Sequence, residues 1–118
     1  MNDRELSQWA DEWFAAWNAH DLERILSHYA EDVEMVSPMI QRLMGEPSGR
    51  LQGKPVLRAY WTKALALVPN LSFESQSVCW GMDSVVLTYK GVNGRTVSEV
   101  LAFDPQGLVC RAHAHYAL

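Results

Sequence analysis

The sequence is poor in the features that usually announce a function. Cysteine occurs only at Cys79 and Cys110, without the paired spacing of a metal site. Both lie in strand-like runs and read as reduced thiols of a cytoplasmic protein, with a disulfide or a reactive thiol as the alternative. Basic residues are few: 10 Lys and Arg against 14 Asp and Glu, a formal charge of −4 and a pI near 5.5. With no basic run, a nucleic-acid or anionic-membrane partner is excluded. No apolar stretch is long enough to span a membrane. The first residues, MNDRELSQWADEW, are charged and amphipathic, unlike a secretory signal. There is no repeat, no low-complexity segment, no glycine-rich phosphate loop and no nucleophile elbow. No cofactor and no metal is expected.

What is present is apolar mass with clear periodicity. The hydrophobic fraction is 48% and five residues are tryptophan, enough for one domain over residues 1–118. A chain of this size buries roughly two-thirds of its unfolded surface. Leu6, Trp9, Ala10, Trp13, Phe14 and Trp17 recur at helical spacing and form one apolar face. The spacing predicts a first helix over Asp3 to Asn18. After the break at Asn18-Ala19-His20-Asp21, Asp21 caps a second helix over Leu22 to Tyr29. VEMVS then alternates and is closed by Pro38, as a short strand does.

Residues 38 to 53, PMIQRLMGEPSGRLQG, are punctuated by Gly45, Pro47, Gly49 and Gly53. Yet Met39, Ile40, Leu43 and Met44 are apolar. Two readings stand: a helical turn tucked into the core, or a lid whose methionines adapt to a ligand. Pro55 opens a third helix carrying Leu57, Tyr60, Trp61, Ala64, Leu65 and Val68. From Leu71 the period changes to two, and strands are expected at Leu71–Trp80, Ser84–Val92, Arg95–Phe103 and Leu108–Ala117.

Asn93-Gly94 signals a two-residue hairpin, since both positions need positive φ. Setting Val92 opposite Arg95 places Thr88 opposite Glu99 and Val86 opposite Leu101. One face then carries Val86, Thr88, Val97, Glu99, Leu101 and Phe103; the other carries Val85, Leu87, Tyr89, Ser98, Val100 and Ala102. Both are apolar enough to need a cover. The helices supply one and a second subunit supplies the other, giving a homodimer through the convex sheet face.

The order helix, helix, strand, long loop, helix and four antiparallel strands resembles the nuclear transport factor 2-like superfamily. WNAHDLERILSHYAEDV resembles the opening signature of its SnoaL-like and ketosteroid-isomerase-like members. GKPVLRAYW is similar to the start of their third helix, and FDPQGLV to their last hairpin. The resemblance implies an α+β, cystatin-like, cone-shaped roll: three helices from the N-terminal half packed on a curved, mainly antiparallel sheet. It also implies an apolar cavity and a dimer. It does not name a reaction, because the scaffold hosts isomerases, dehydratases, epoxide hydrolases, cyclases and non-catalytic binders.

Ketosteroid isomerases use a carboxylate base before the proline of the first strand, with a tyrosine and a protonated aspartic acid as oxyanion donors. By resemblance those positions are Ser37, Trp13 and Glu99. A serine hydroxyl cannot be that base, so a steroid isomerase is not expected. Arg42, Arg58 and Arg111 are available for an epoxide-hydrolase-like arrangement, but no two carboxylates fall beside any of them.

Glu99 is the main catalytic candidate. In an apolar pocket its pKa rises, which suits a general acid or base. The alternative is an acid at the mouth, solvated or paired with Lys90. Ser37 and Tyr116 are candidates for orienting a substrate. The expected walls are Trp13, Trp17, Tyr60, Trp61, Val86, Leu101 and Tyr116, with Thr88 as a further polar group and Met39, Leu43 and Met44 in the lid. Strand parity sets Cys110, Ala112, Ala114 and Tyr116 on the concave side and Arg111, His113 and His115 on the convex side. Two histidines are too few for a metal site. Two functions follow: an enzyme doing proton transfer next to a carbonyl of a small apolar molecule, or a binding or dimerisation module with a vestigial pocket.

Overall fold

In a computed structural model, all 118 residues are described. Helix α1 spans Asp3–Asn18 and α2 Leu22–Leu26; strand β1 spans Tyr29–Val36. Helix α3 (Pro38–Met44) and the short β2 (Arg50–Gln52) follow, then α4 (Lys54–Leu67). Four strands complete the chain: β3 (Glu74–Trp80), β4 (Ser84–Lys90), β5 (Thr96–Phe103) and β6 (Val109–Tyr116). They form one open six-stranded sheet in the order β2-β1-β6-β5-β4-β3. All neighbours are antiparallel except β1 and β6.

Helix α1 begins where Asn2 accepts a hydrogen bond from the Glu5 N–H. Its stripe of Leu6, Ala10, Trp13, Phe14 and Trp17 is buried against the sheet. At the far end Asn18 acts as a surrogate strand. Its Nδ2 donates to the Phe73 carbonyl at 3.0 Å, and its Oδ1 accepts from the Phe73 N–H at 2.7 Å. This holds Phe73 against Trp13, Trp17 and Tyr89, with ring centroids 4.4–6.0 Å apart. The half-exposed Arg24–Glu12 pair is of a kind that contributes about 0–1 kcal/mol, so the aromatic core carries far more of the stability.

Two expectations change in the first half. Helix α2 stops at Leu26, not Tyr29, and Tyr29 opens β1 opposite Val109. A tyrosine at a buried strand position reaches α1, where its hydroxyl accepts a hydrogen bond from Trp13 Nε1 at 2.9 Å. The 38–53 segment holds a fourth helix. Ser37 caps α3 by accepting the Met39 N–H, Pro38 sits in its first turn, and Gly45 ends it at φ 66°. Ile40 is fully buried beneath it, which agrees with the tucked helical turn.

The β4–β5 hairpin differs by one residue from the expected register. Asn93 and Gly94 do take positive φ, 59° and 71°, and the Arg95 N–H bonds to the Val92 carbonyl. The next rung, however, runs from the Gly91 N–H to the Arg95 carbonyl at 2.8 Å. Gly91 and Val92 together oppose Arg95, so Val92 is a bulge residue. Leu87 therefore faces Glu99, and Thr88 faces Ser98. A slip of one residue exchanges the faces of the whole strand. The helix-covered face carries Val85, Leu87, Tyr89, Val97, Glu99 and Leu101, followed on β6 by Ala112, Ala114 and Tyr116. Val86, Thr88, Ser98, Val100, Ala102, His113 and His115 lie on the outer face.

Candidate functional site

Between the sheet, the C-terminal end of α1, α3 and α4 lies a cavity of about 590 Å³. Trp17, Met35, Tyr60, Trp61, Phe73 and Val97 are among its apolar and aromatic walls. Its inner polar group is Glu99, one of two buried polar side chains in the protein, the other being Ser37.

The register explains the surroundings of Glu99. Val97 is opposite Tyr89 on one side and Tyr116 on the other. Both tyrosines are therefore diagonal neighbours of Glu99, close enough for long side chains to meet. Tyr89 donates its hydroxyl to Glu99 Oε1 at 2.5 Å. Oε2 has no hydrogen-bond partner and is the oxygen left for a ligand. Directly opposite Glu99 on β6 is Ala114, small enough to leave that space open.

Burial pushes the Glu99 carboxyl up to about 7, against the smaller opposing effects of the Tyr89 hydrogen bond and the charge of His115. At neutral pH the group is divided between acid and carboxylate, as a proton-transfer residue must be. The phenols of Tyr29, Tyr60, Tyr89 and Tyr116 are all pushed up, chiefly by burial, so they remain protonated donors. Trp17 lines the cavity, but its Nε1 is fully buried on the side of Tyr29, with no hydrogen-bond partner. The nearby Tyr29 hydroxyl is already engaged by Trp13.

The model of the SnoaL-like domain matches residues 10–118. The chain belongs to the SnoaL-like family. A SnoaL-like protein of unknown function from Burkholderia thailandensis is 50% identical, with a TM-score of 0.95 over 99% of this chain and 98% of that one. A nuclear transport factor 2-like protein of unknown function from Cytophaga hutchinsonii has a TM-score of 0.73 at 16% identity, over 99% and 91% of the two chains. An epoxide hydrolase/cyclase-like enzyme of pyran ring formation in the polyether salinomycin has a TM-score of 0.72 at 15% identity, over 99% and 94%. The last two likenesses concern the fold alone. No curated protein matches the sequence.

In this SnoaL-like protein Glu99, Tyr116, Trp17, Met39, Leu43, Tyr60 and Trp61 come together around the cavity. Six candidates lie elsewhere. Val86 and Thr88 are on the outer face, moved there by the bulge, and the Thr88 hydroxyl meets that of Ser98 at 2.9 Å. Trp13 is in the core with its N–H committed to Tyr29. Leu101 is on the correct face but fully buried, and Met44 packs on the core instead of the cavity wall. Ser37 is also off the wall, beneath α3, with its hydroxyl close to those of Tyr60 and Tyr116.

Sequence reasoning missed Tyr89, the partner of Glu99, by assigning it to the opposite face. Gly91 was the available signal, since a glycine just before a hairpin turn often marks a bulge. His20 and His28 are half-buried. The His20 ring nitrogen meets the Leu71 carbonyl at 2.7 Å, and His28 stacks edge-on to Trp9.

Proposed function

We propose that this SnoaL-like protein holds a small, mainly apolar molecule in the cavity and moves a proton at a carbon next to its carbonyl. The observation that carries this reading is a buried carboxyl, divided between its two protonation states, with one oxygen free in an apolar cavity. Ionised Glu99 takes the proton from carbon. The C–H electron pair forms an enolate, whose oxygen accepts a hydrogen bond from the Tyr116 hydroxyl. Return of the proton from Glu99 to another carbon completes an isomerisation; attack of the enolate carbon on an internal carbonyl, whose oxygen takes the C=O π pair and then the proton from Glu99, completes a cyclisation. Ser37 has no direct part in this scheme.

Ser37 and Trp13 depart from the isomerase pattern, which favours a non-catalytic binding module as the second reading. The open cavity that reaches Glu99 is what such a vestigial pocket would lack.

The test is a thermal-shift screen of steroids, polyketide-like aromatics, terpenoid epoxides and lactones, followed by turnover assays on the hits. A ligand at a hundred times its Kd stabilises by about 2.7 kcal/mol. Glu99→Gln is expected to lower kcat by about 10²–10⁴-fold while the ligand still shifts the melting point. Unchanged turnover removes Glu99 from the chemistry.

The same reading includes a homodimer through the outer sheet face, where Val86, Val100 and Ala102 are small, apolar and uncovered by any helix. Cys79 and Cys110 are free thiols, which supports a reducing, cytoplasmic setting. No helix is long and apolar enough to cross a membrane.

A further inference from the structure

Apolar walls recognise shape, but the charged groups of the cavity carry more specific information. Fifteen of the twenty lining residues are hydrophobic, and the charged ones are Arg42, Arg95 and Glu99. Glu99 is deep, whereas both arginines are exposed and stand at the mouth. Arg42 comes from the second turn of α3. Arg95 leads into β5 on the same parity as Val97 and Glu99, so it belongs to the inner face.

Neither arginine has an ion-pair partner, whereas Arg24, Arg50 and Arg58 are paired with Glu12, Glu34 and Glu23. The carboxylate one turn after Arg42 is Glu46, and it is occupied by the N–H and hydroxyl of Ser48. Arg42 and Arg95 line the same cavity as Tyr116 and Glu99. On a chain with net charge −4, the mouth of the cavity is locally positive.

We propose that Arg42 and Arg95 receive an anionic group of the ligand, so that the ligand is an organic acid with an apolar body and a carboxylate-type anion held at the mouth. This rests on the reading of the cavity as a ligand site and adds its substrate class. It also sets the direction of entry. An anion driven inward would meet the environment that already disfavours the charge of Glu99, while at the mouth it keeps part of its hydration and gains planar, fork-like donors. The uncharged carbonyl end therefore points to Glu99.

The experiment uses two fluorescent probes with the same aromatic body. 8-Anilinonaphthalene-1-sulfonate carries an anion, and N-phenyl-1-naphthylamine lacks it. Both are titrated into the wild type and into the Arg42→Gln/Arg95→Gln variant, with mutual displacement confirming a shared site. The neutral probe is expected to bind both proteins equally. The anionic probe is expected to bind the variant roughly three- to thirtyfold more weakly, and its wild-type affinity is expected to fall with added salt. If the variant binds both probes as the wild type does, or loses both alike, the anion site is overturned and the cavity reading stands. If the neutral probe does not bind the wild type, or does not compete with the anionic one, the cavity reading fails and this inference with it.

Discussion

Glu99 is a residue whose surroundings oppose its charge. It sits on an inner strand face between Val97 and Leu101, flanked diagonally by two tyrosines, and only Tyr89 reaches it with a hydrogen bond. Its carboxyl is raised from an ordinary 4.5 to about 7, so folding favours the protonated form. The stability that Glu99 contributes is complete below pH 4.5 and is lost as pH rises to about 7. That difference corresponds to about 3 kcal/mol. Glu99→Gln keeps the shape and an acceptor for Tyr89 but cannot ionise. Denaturant titrations of the two proteins are expected to agree near pH 4 and to favour the glutamine variant by up to about 3 kcal/mol at pH 8. The exposed carboxylates Glu23 and Glu46, lowered by Arg58 and Ser48, act in the opposite sense at low pH, and they cancel in this comparison. Equal stability at both pH values means that Glu99 is solvated.

At the scale of elements, the β4–β5 hairpin determines which side chains the cavity receives. The Asn93-Gly94 turn has the conformation its residues demand, yet Val92 is an extra residue between the turn and the first rung at Gly91. Removing Val92 joins Gly91 directly to the turn and leaves the Gly91–Arg95 rung where it is, so the deletion keeps the register. We expect the Val92 deletion to melt within a few degrees of the wild type, corresponding to a change of about 1 kcal/mol or less. Glu99 is expected to titrate still near 7 by carboxyl NMR. A value near 4.5 instead means that the strand slipped and Glu99 turned outward. Helix α3 has the complementary part. Its capped start, Pro38 and Gly45 make it a defined helix, and it carries Met39, Arg42 and Leu43 to the cavity.

For the whole molecule, the helices cover one side of the sheet and leave the other bare. The bare side has Val86 opposite Val100, and Val100 opposite His113. Along this face Thr88, Ser98 and Ala102 are small and uncharged, with Lys90 and Arg111 toward its margins. A surface of that composition suits a two-fold, self-complementary contact. Sedimentation velocity is expected to show a dimer at micromolar concentration, and Val100→Lys to shift it toward monomer without altering the cavity. A wild type that stays monomeric at high concentration refutes the dimer.

Helix α1, helix α4 and the four C-terminal strands were legible in the sequence, because each depends on short-range periodicity, and the family was legible through the resemblance of its motifs. The stripe from Leu6 to Trp17 needs a sheet, and the alternation after Leu71 supplies one. The presence of Glu99, Tyr116 and Tyr60 near one another followed from strand parity and the resemblance. Tertiary structure decided the rest. Tyr29 became a strand residue because its hydroxyl has a partner in Trp13, sixteen residues away. Tyr89 rather than Thr88 came to Glu99 because a single bulge residue reverses the faces of a strand. The two arginines at the mouth belong to segments more than fifty residues apart, and only packing around a common cavity brings their charges together.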